Sequence, residues 1–141
     1  MATKLDEYYG RSIDELPRIV ADTERFFAAS GLDASLRPVV DLATEELFVN
    51  MVSYNTETTR EIRIEMTALE RGVEVSLTDF DVGRFDPTQL ASVDITAPLE
   101  QRHSSGLGVF LVFKMTDSVR YEYANRSSRI SFQKWVDSTH V

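Results

Sequence analysis

Three short stretches of the chain combine residue types that can do chemistry. The first is Glu45, Glu46 and Asn50. Glu46 and Asn50 are four apart, the spacing that puts two side chains on one face of a helix and points them at one spot. A carboxylate there can accept a proton from an attacking hydroxyl or water. An amide oxygen beside it can ligand a hard cation such as Mg²⁺ alongside phosphates. The same spacing also occurs on plain solvated helix faces, where charged residues mostly sit. The second stretch is Asp79-Phe80-Asp81-Val82-Gly83-Arg84-Phe85-Asp86-Pro87. A strand that empties into an acidic, glycine-containing turn can hold a carboxylate to accept a hydrogen bond from a ligand amino group, such as an exocyclic amine of adenine. Asp, Gly and Pro are equally the residues of an ordinary turn. The third is Arg102-His103-Ser104-Ser105-Gly106-Leu107-Gly108. Glycines let a backbone come close to a ligand, and the free N–H groups and dipole of a first helical turn favour phosphate. A capped helix after a loop has the same composition.

The elements that must position these stretches follow from periodicity. Leu16, Ile19, Val20, Thr23, Phe26 and Phe27 recur at steps of three and four, which predicts an amphipathic helix over residues 12–30. Ser12 and Glu15 have capping-box spacing, Pro17 suits a first turn, and Gly31 supplies the stop. A second helix is expected from about Ser35 to Ser53, with Val40, Ala43, Leu47 and Met51 inward; it carries Glu46 and Asn50. Between Arg60 and Phe80 the period drops to two, predicting a hairpin that turns near Glu70, Arg71 and Gly72. Residues 81–105 lose all periodicity and form a loop of unusual length, and loops this long are usually functional or disordered. Leu107 to Met115 reads as a capped, largely buried helix. Strands over Ser118 to Ala124 and Arg129 to Trp135 follow, joined by a polar turn at Asn125 to Ser128. The order implies an α/β two-layer sandwich with helices on one face of a largely antiparallel sheet.

Composition narrows the function. With 141 residues, 43% hydrophobic and 27% charged, the chain reads as one self-folding domain, residues 1–141. A formal net charge of -8 argues against a surface that tracks nucleic acid phosphates, yet suits a basic protein partner. The absence of cysteine removes disulfides, thiol nucleophiles and cysteine zinc sites, and two histidines make a poor metal site. Residues Met1 to Tyr9 contain no apolar run, and no stretch approaches the roughly 18 apolar residues of a membrane span. The expected location is cytoplasmic, with no membrane contact.

A helix bearing Glu-x-x-x-Asn, a hairpin ending in an Asp/Gly turn and a long loop closing on Gly-x-Gly at a helix start together resemble the Bergerat-fold ATPases of gyrase and histidine kinases. Within that superfamily the chain most resembles the anti-sigma-factor serine kinases of the RsbW type, over about residues 12–136. The specific pieces are Ala43-Thr44-Glu45-Glu46-Leu47-Phe48-Val49-Asn50, Phe85-Asp86-Pro87, and Gly106-Leu107-Gly108-Val109-Phe110-Leu111-Val112 followed by Met115-Thr116-Asp117. The resemblance implies a histidine-kinase-like α+β sandwich that binds ATP and Mg²⁺. Glu46 would be the general base toward a serine hydroxyl and Asn50 the Mg²⁺ ligand. The adenine-binding aspartate would be Asp79 or Asp81, in a turn with Gly83. Gly106 and Gly108, with Leu107 between them and Ser104 and Ser105 nearby, would hold the phosphates, residues 81–105 forming the lid. Ser131 would lie near the adenine.

The family's turn reads Asp-x-Gly-x-Gly, or Asp-Gly followed two residues later by Phe, and here only Gly83 is present. Matching Asp79, which the inward alternation of Val75 and Leu77 favours, puts Asp81 at a glycine position with one extra residue before Phe85. Matching Asp81 shortens the turn by one. Either way the adenine pocket is altered. The implied partners are a sigma factor and a STAS-domain anti-anti-sigma factor, and relatives of this type are often homodimers. A rival from another class is a non-catalytic module that sequesters a sigma factor or other regulator. The altered turn favours that rival; the retained Glu46 favours catalysis. A detached histidine-kinase-like ATPase is a third reading, against which stands the lack of a dimerisation helix pair to present a phosphoacceptor histidine.

Overall fold

A computed structural model describes residues 4–84 and 104–136. Five strands, β1 (Lys4–Tyr9), β2 (Ile62–Leu69), β3 (Gly72–Phe80), β4 (Ser118–Ala124) and β5 (Ser127–Trp135), form one sheet in the order β1-β2-β3-β5-β4. Every neighbouring pair is antiparallel. Three helices accompany it: α1 (Leu16–Ser30), α2 (Arg37–Tyr54) and α3 (Ser104–Met115). This is the expected α+β arrangement of a mainly antiparallel sheet and helices.

Alternation along the strands decides which face the helices cover. Ile62, Ile64 and Met66 on β2, Val73, Val75 and Leu77 on β3, and Ile130 and Phe132 on β5 are buried in one core. They meet Ile19, Phe26 and Phe27 of α1, Val40, Ala43, Leu47, Phe48 and Met51 of α2, and Val112 of α3. The intervening residues, such as Glu65, Ser76 and Arg129, belong to the opposite face. Gly72 packs so tightly against β5 that a β-carbon there would overlap the Lys134 carbonyl oxygen.

Local chemistry explains the helix ends. Pro17 occupies the first turn of α1, and Gly31 ends it at φ 65, a left-handed conformation that glycine adopts without strain. Ser12 caps the 3-10 turn Ile13–Glu15 by accepting from the Asp14 N–H. Glu15 does not complete a capping box; its Oε2 accepts from the Gly10 N–H at 2.7 Å. α2 likewise follows a 3-10 turn, Ala34–Leu36, with Asp33 capping it.

The sequence reading missed β1. Its inward positions are Leu5, Glu7 and Tyr9, opposite Met66, Ile64 and Ile62, so a charged residue breaks the apolar alternation. Tyr9 nevertheless is fully buried, its hydroxyl donating to Asp22 Oδ2 at 2.7 Å. β5 also begins earlier than expected, because Asn125 and Arg126, at φ 52 and 58, make a two-residue hairpin turn. Among the described residues, no helix is long and apolar enough to cross a membrane.

Candidate functional site

Glu46 and Asn50 lie on the α2 face that meets α3. A β-carbon built on Gly108 of α3 would lie only 2.7 Å from Glu46 Cδ, so the carboxyl group rests directly on that glycine. Burial between the two helices, and then the like charge of Glu45, push the Glu46 carboxyl above its ordinary value. A carboxylate that holds a proton more tightly is a better base at neutral pH. One turn further along α2, Asn50 is buried, 3% exposed, and its Oδ1 has no hydrogen-bond partner. Buried amide oxygens are almost always satisfied. One left with free lone pairs suits a hard cation that completes its shell with phosphate oxygens and water. Among the described residues, no group of three or more His, Cys, Asp or Glu side chains could hold a metal ion by itself.

The end of β3 is built differently. Asp79 is fully buried on the helix-facing side, opposite Ser128 of β5. Arg11 donates to its Oδ1 at 2.6 Å and its Oδ2 at 3.0 Å, and Asn55 Nδ2 donates to Oδ2 at 2.5 Å. The same guanidinium donates to the carbonyl oxygens of Met51, Asn55 and Arg60, satisfying the end of α2 where a cation also meets the negative end of the helix dipole. Arg11 and Asn55 are functional-region residues that the sequence reading missed. Their partners lie far away in the chain, and neither residue carries a local signal in the sequence.

Asp81 falls on the surface at φ 56, its carboxylate accepting from Arg126 Nε at 3.0 Å. A left-handed conformation is one that glycine takes freely and Asp tolerates. The glycine position to which alignment on Asp79 assigns Asp81 therefore fits its backbone. Gly83 donates its N–H to Glu57 Oε1, and Val82 is held by the Arg126 carbonyl and the Tyr123 hydroxyl.

α3 begins at Ser104, so the backbone of Ser104, Ser105, Gly106 and Leu107 forms its first turn, with Gly108 immediately after. Such a turn carries free N–H groups. Of the expected lid, residues 85–103 lie outside the described residues. Ser131 is corrected: it lies on the sheet face away from the helices, its hydroxyl 2.8 Å from that of Ser76. Ile130 and Phe132 take the inward positions around it, so the β5 residue beside Asp79 is Ser128, not Ser131. The structure thus brings Glu46 together with Gly108, places Asn50 on the same face of α2, and leaves Asp81 and Ser131 outside that group.

The comparisons with known proteins agree with this architecture. The chain is similar in fold to the RsbU and RsbW domains of Rv1364c from Mycobacterium tuberculosis, with a TM-score of 0.65 at 14% identity. That match covers 94% of this chain and 32% of the other, so the chain spans about a third of that protein's length. It is also similar to a chain of the SiaB-SiaC complex from Pseudomonas aeruginosa, with a TM-score of 0.60 at 14% identity over 96% of this chain and 90% of the other. No curated protein sequence matches. The model of the histidine kinase-like ATPase domain matches residues 11–134, from the arginine that clasps Asp79 to the last strand, and the chain belongs to that family.

Proposed function

We propose that the chain is an anti-sigma factor and serine protein kinase, which binds Mg-ATP and phosphorylates a STAS-domain anti-anti-sigma antagonist. The observation that carries this reading is the raised carboxyl of Glu46, seated against the start of α3 on the same face as the unpartnered Asn50 oxygen. Phosphoryl transfer asks a protein mainly for positioning and charge stabilisation. Glu46 accepts the serine proton, Asn50 Oδ1 holds the cation, and the N–H groups at the start of α3 receive phosphate oxygens. Mg²⁺, when bound, neutralises charge on the phosphates. The Arg11–Asp79 pair fixes the end of β3, where both carboxylate oxygens of Asp79 accept from Arg11 and one also from Asn55.

Partner exchange follows from charge. Phosphorylation adds nearly two negative charges to the antagonist, and this chain carries a formal net charge of -8. Repulsion releases the product and leaves the kinase free to hold a sigma factor. The RsbW domain of one structural neighbour and the SiaB-SiaC complex that contains the other both accord with a regulator that works through protein partners.

The test is to mix the protein with labelled ATP, Mg²⁺ and the STAS-domain proteins of the same organism. Label is expected on a serine of one of them, and Glu46→Ala should keep ATP while transfer falls by about 10²–10⁴-fold. No nucleotide binding even at millimolar ATP would sink the reading. A second reading, a binding module without turnover, draws on the saturation of Asp79 by Arg11 and Asn55, which leaves little to recognise a base. Sigma-factor binding unaffected by nucleotide would favour it.

A further inference from the structure

Gly108 lies inside α3, buried and helical. Its backbone does not demand glycine, since among the described glycines only Gly31 has a positive φ. Inside a helix glycine costs stability relative to alanine, because it loses more conformational freedom and buries no side chain. The space a side chain would fill is taken by another group. A β-carbon on Gly108 would overlap Glu46 Oε2 and lie 2.7 Å from its Cδ and 3.4 Å from its Cγ. Those three nearest atoms all belong to one side chain, so the first group an added β-carbon meets is the Glu46 carboxyl.

We infer that Gly108 is a positioning residue for Glu46: the side chain it lacks is the seat that holds the carboxylate between α2 and α3. The inference rests on Glu46 being the base, and it gives Gly108 a task distinct from letting phosphate approach the backbone. A base must sit within hydrogen-bond reach of the proton it takes, and small misplacements cost large factors in rate. An added methyl group at 108 meets first the carboxyl end of a flexible side chain. The carboxylate therefore swings out, while the packing of α2 on α3 stays.

The test is a double-mutant cycle on the whole chain, read first by thermal unfolding without nucleotide. Gly108→Ala should leave Tm unchanged or lower it when Glu46 is present. In a Glu46→Ala background, where the seat is vacant, the same substitution should raise Tm by about 2–5 °C. Equal shifts in the two backgrounds would overturn the inference. Should Gly108→Ala alone fail to fold, folding of the double variant shows the same coupling, and failure of both overturns it. The second readout is transfer to the STAS-domain acceptor. Gly108→Ala should lower kcat by about a hundredfold, with KM for ATP changed less than about threefold. A rise in KM with kcat unchanged overturns the seat and leaves only the phosphate role. Coupling in Tm without any transfer by the unaltered protein retains the seat and removes the kinase reading.

Discussion

Asn50 and Asn55 both belong to the α2 region and both are buried, yet they are served in opposite ways. Asn55 donates to Asp79, its carbonyl accepts from Arg11, and the whole end of the helix is closed by one guanidinium. Asn50 keeps an oxygen with no partner, beside a glutamate that burial makes reluctant to ionise. An unpaired buried acceptor costs about 1–3 kcal/mol. A fold that satisfies Asp79 completely while leaving Asn50 open separates a structural clasp from an unsatisfied acceptor within one helix. The contrast is the physical basis for placing cation and proton chemistry at Glu46 and Asn50 rather than at the more acidic end of β3.

The largest effect is expected at the clasp. Arg11 and Asp79 are 11% and 0% exposed, so Arg11→Met leaves a buried charge without its partner and should cost about 3–5 kcal/mol in urea unfolding. Because the double change also removes the buried charge, Arg11→Met/Asp79→Leu should recover part of that loss; the rest remains because Asn55 Nδ2 and the Met51, Asn55 and Arg60 carbonyls lose their partners. A single-variant loss below about 1 kcal/mol would mean that the pair behaves like a surface bridge, and the contrast would fail.

At Asn50, one turn before the clasp, the expected effect moves from stability to ligand. Asn50→Leu, of the same branched shape, removes an oxygen left unpaired in the fold, so stability in urea unfolding should hold or rise by about 1–3 kcal/mol. ATP affinity measured with and without Mg²⁺ should lose about tenfold or more of its Mg²⁺ dependence. Marked destabilisation with Mg²⁺ dependence intact would make Asn50 a structural residue like Asn55.

How much of this was legible in the sequence depends on how local each feature is. α1 announces itself through Leu16, Ile19, Phe26 and Phe27 and stops at Gly31, all within one stretch. The Glu46–Asn50 face is legible as a spacing of four. Lys4–Tyr9 is not, because Glu7 holds an inward position and only pairing with β2 makes the segment a strand. Arg11 gives no local clue either, since Asp79, Met51 and Asn55 come to it from distant parts of the chain. Ser131 could have been placed correctly: Ile130 and Phe132 on either side already assign it to the outer face. The Glu46–Gly108 contact required the packing of α2 on α3, which no periodicity encodes.

The smallest effect concerns proton linkage at Glu46. Burial and Glu45 raise its carboxyl in the native protein, whereas the unfolded chain releases the proton near the ordinary value of 4.5. The native state therefore binds this proton more tightly. Its contribution to stability is complete below the unfolded value and is lost as pH rises through the raised native value. Glu46→Gln keeps the shape and has no proton to lose, so Tm of the variant minus that of the unaltered protein should widen upward from about pH 4 and then level off. Glu45→Gln, which removes only the secondary cause, should narrow that window without abolishing it. A difference that stays flat, or widens toward acid instead, would show a solvated Glu46 carboxylate. The proton chemistry assigned to the Glu46–Asn50 face would then lose its burial, and the contrast with the clasp would rest on Asn50 alone.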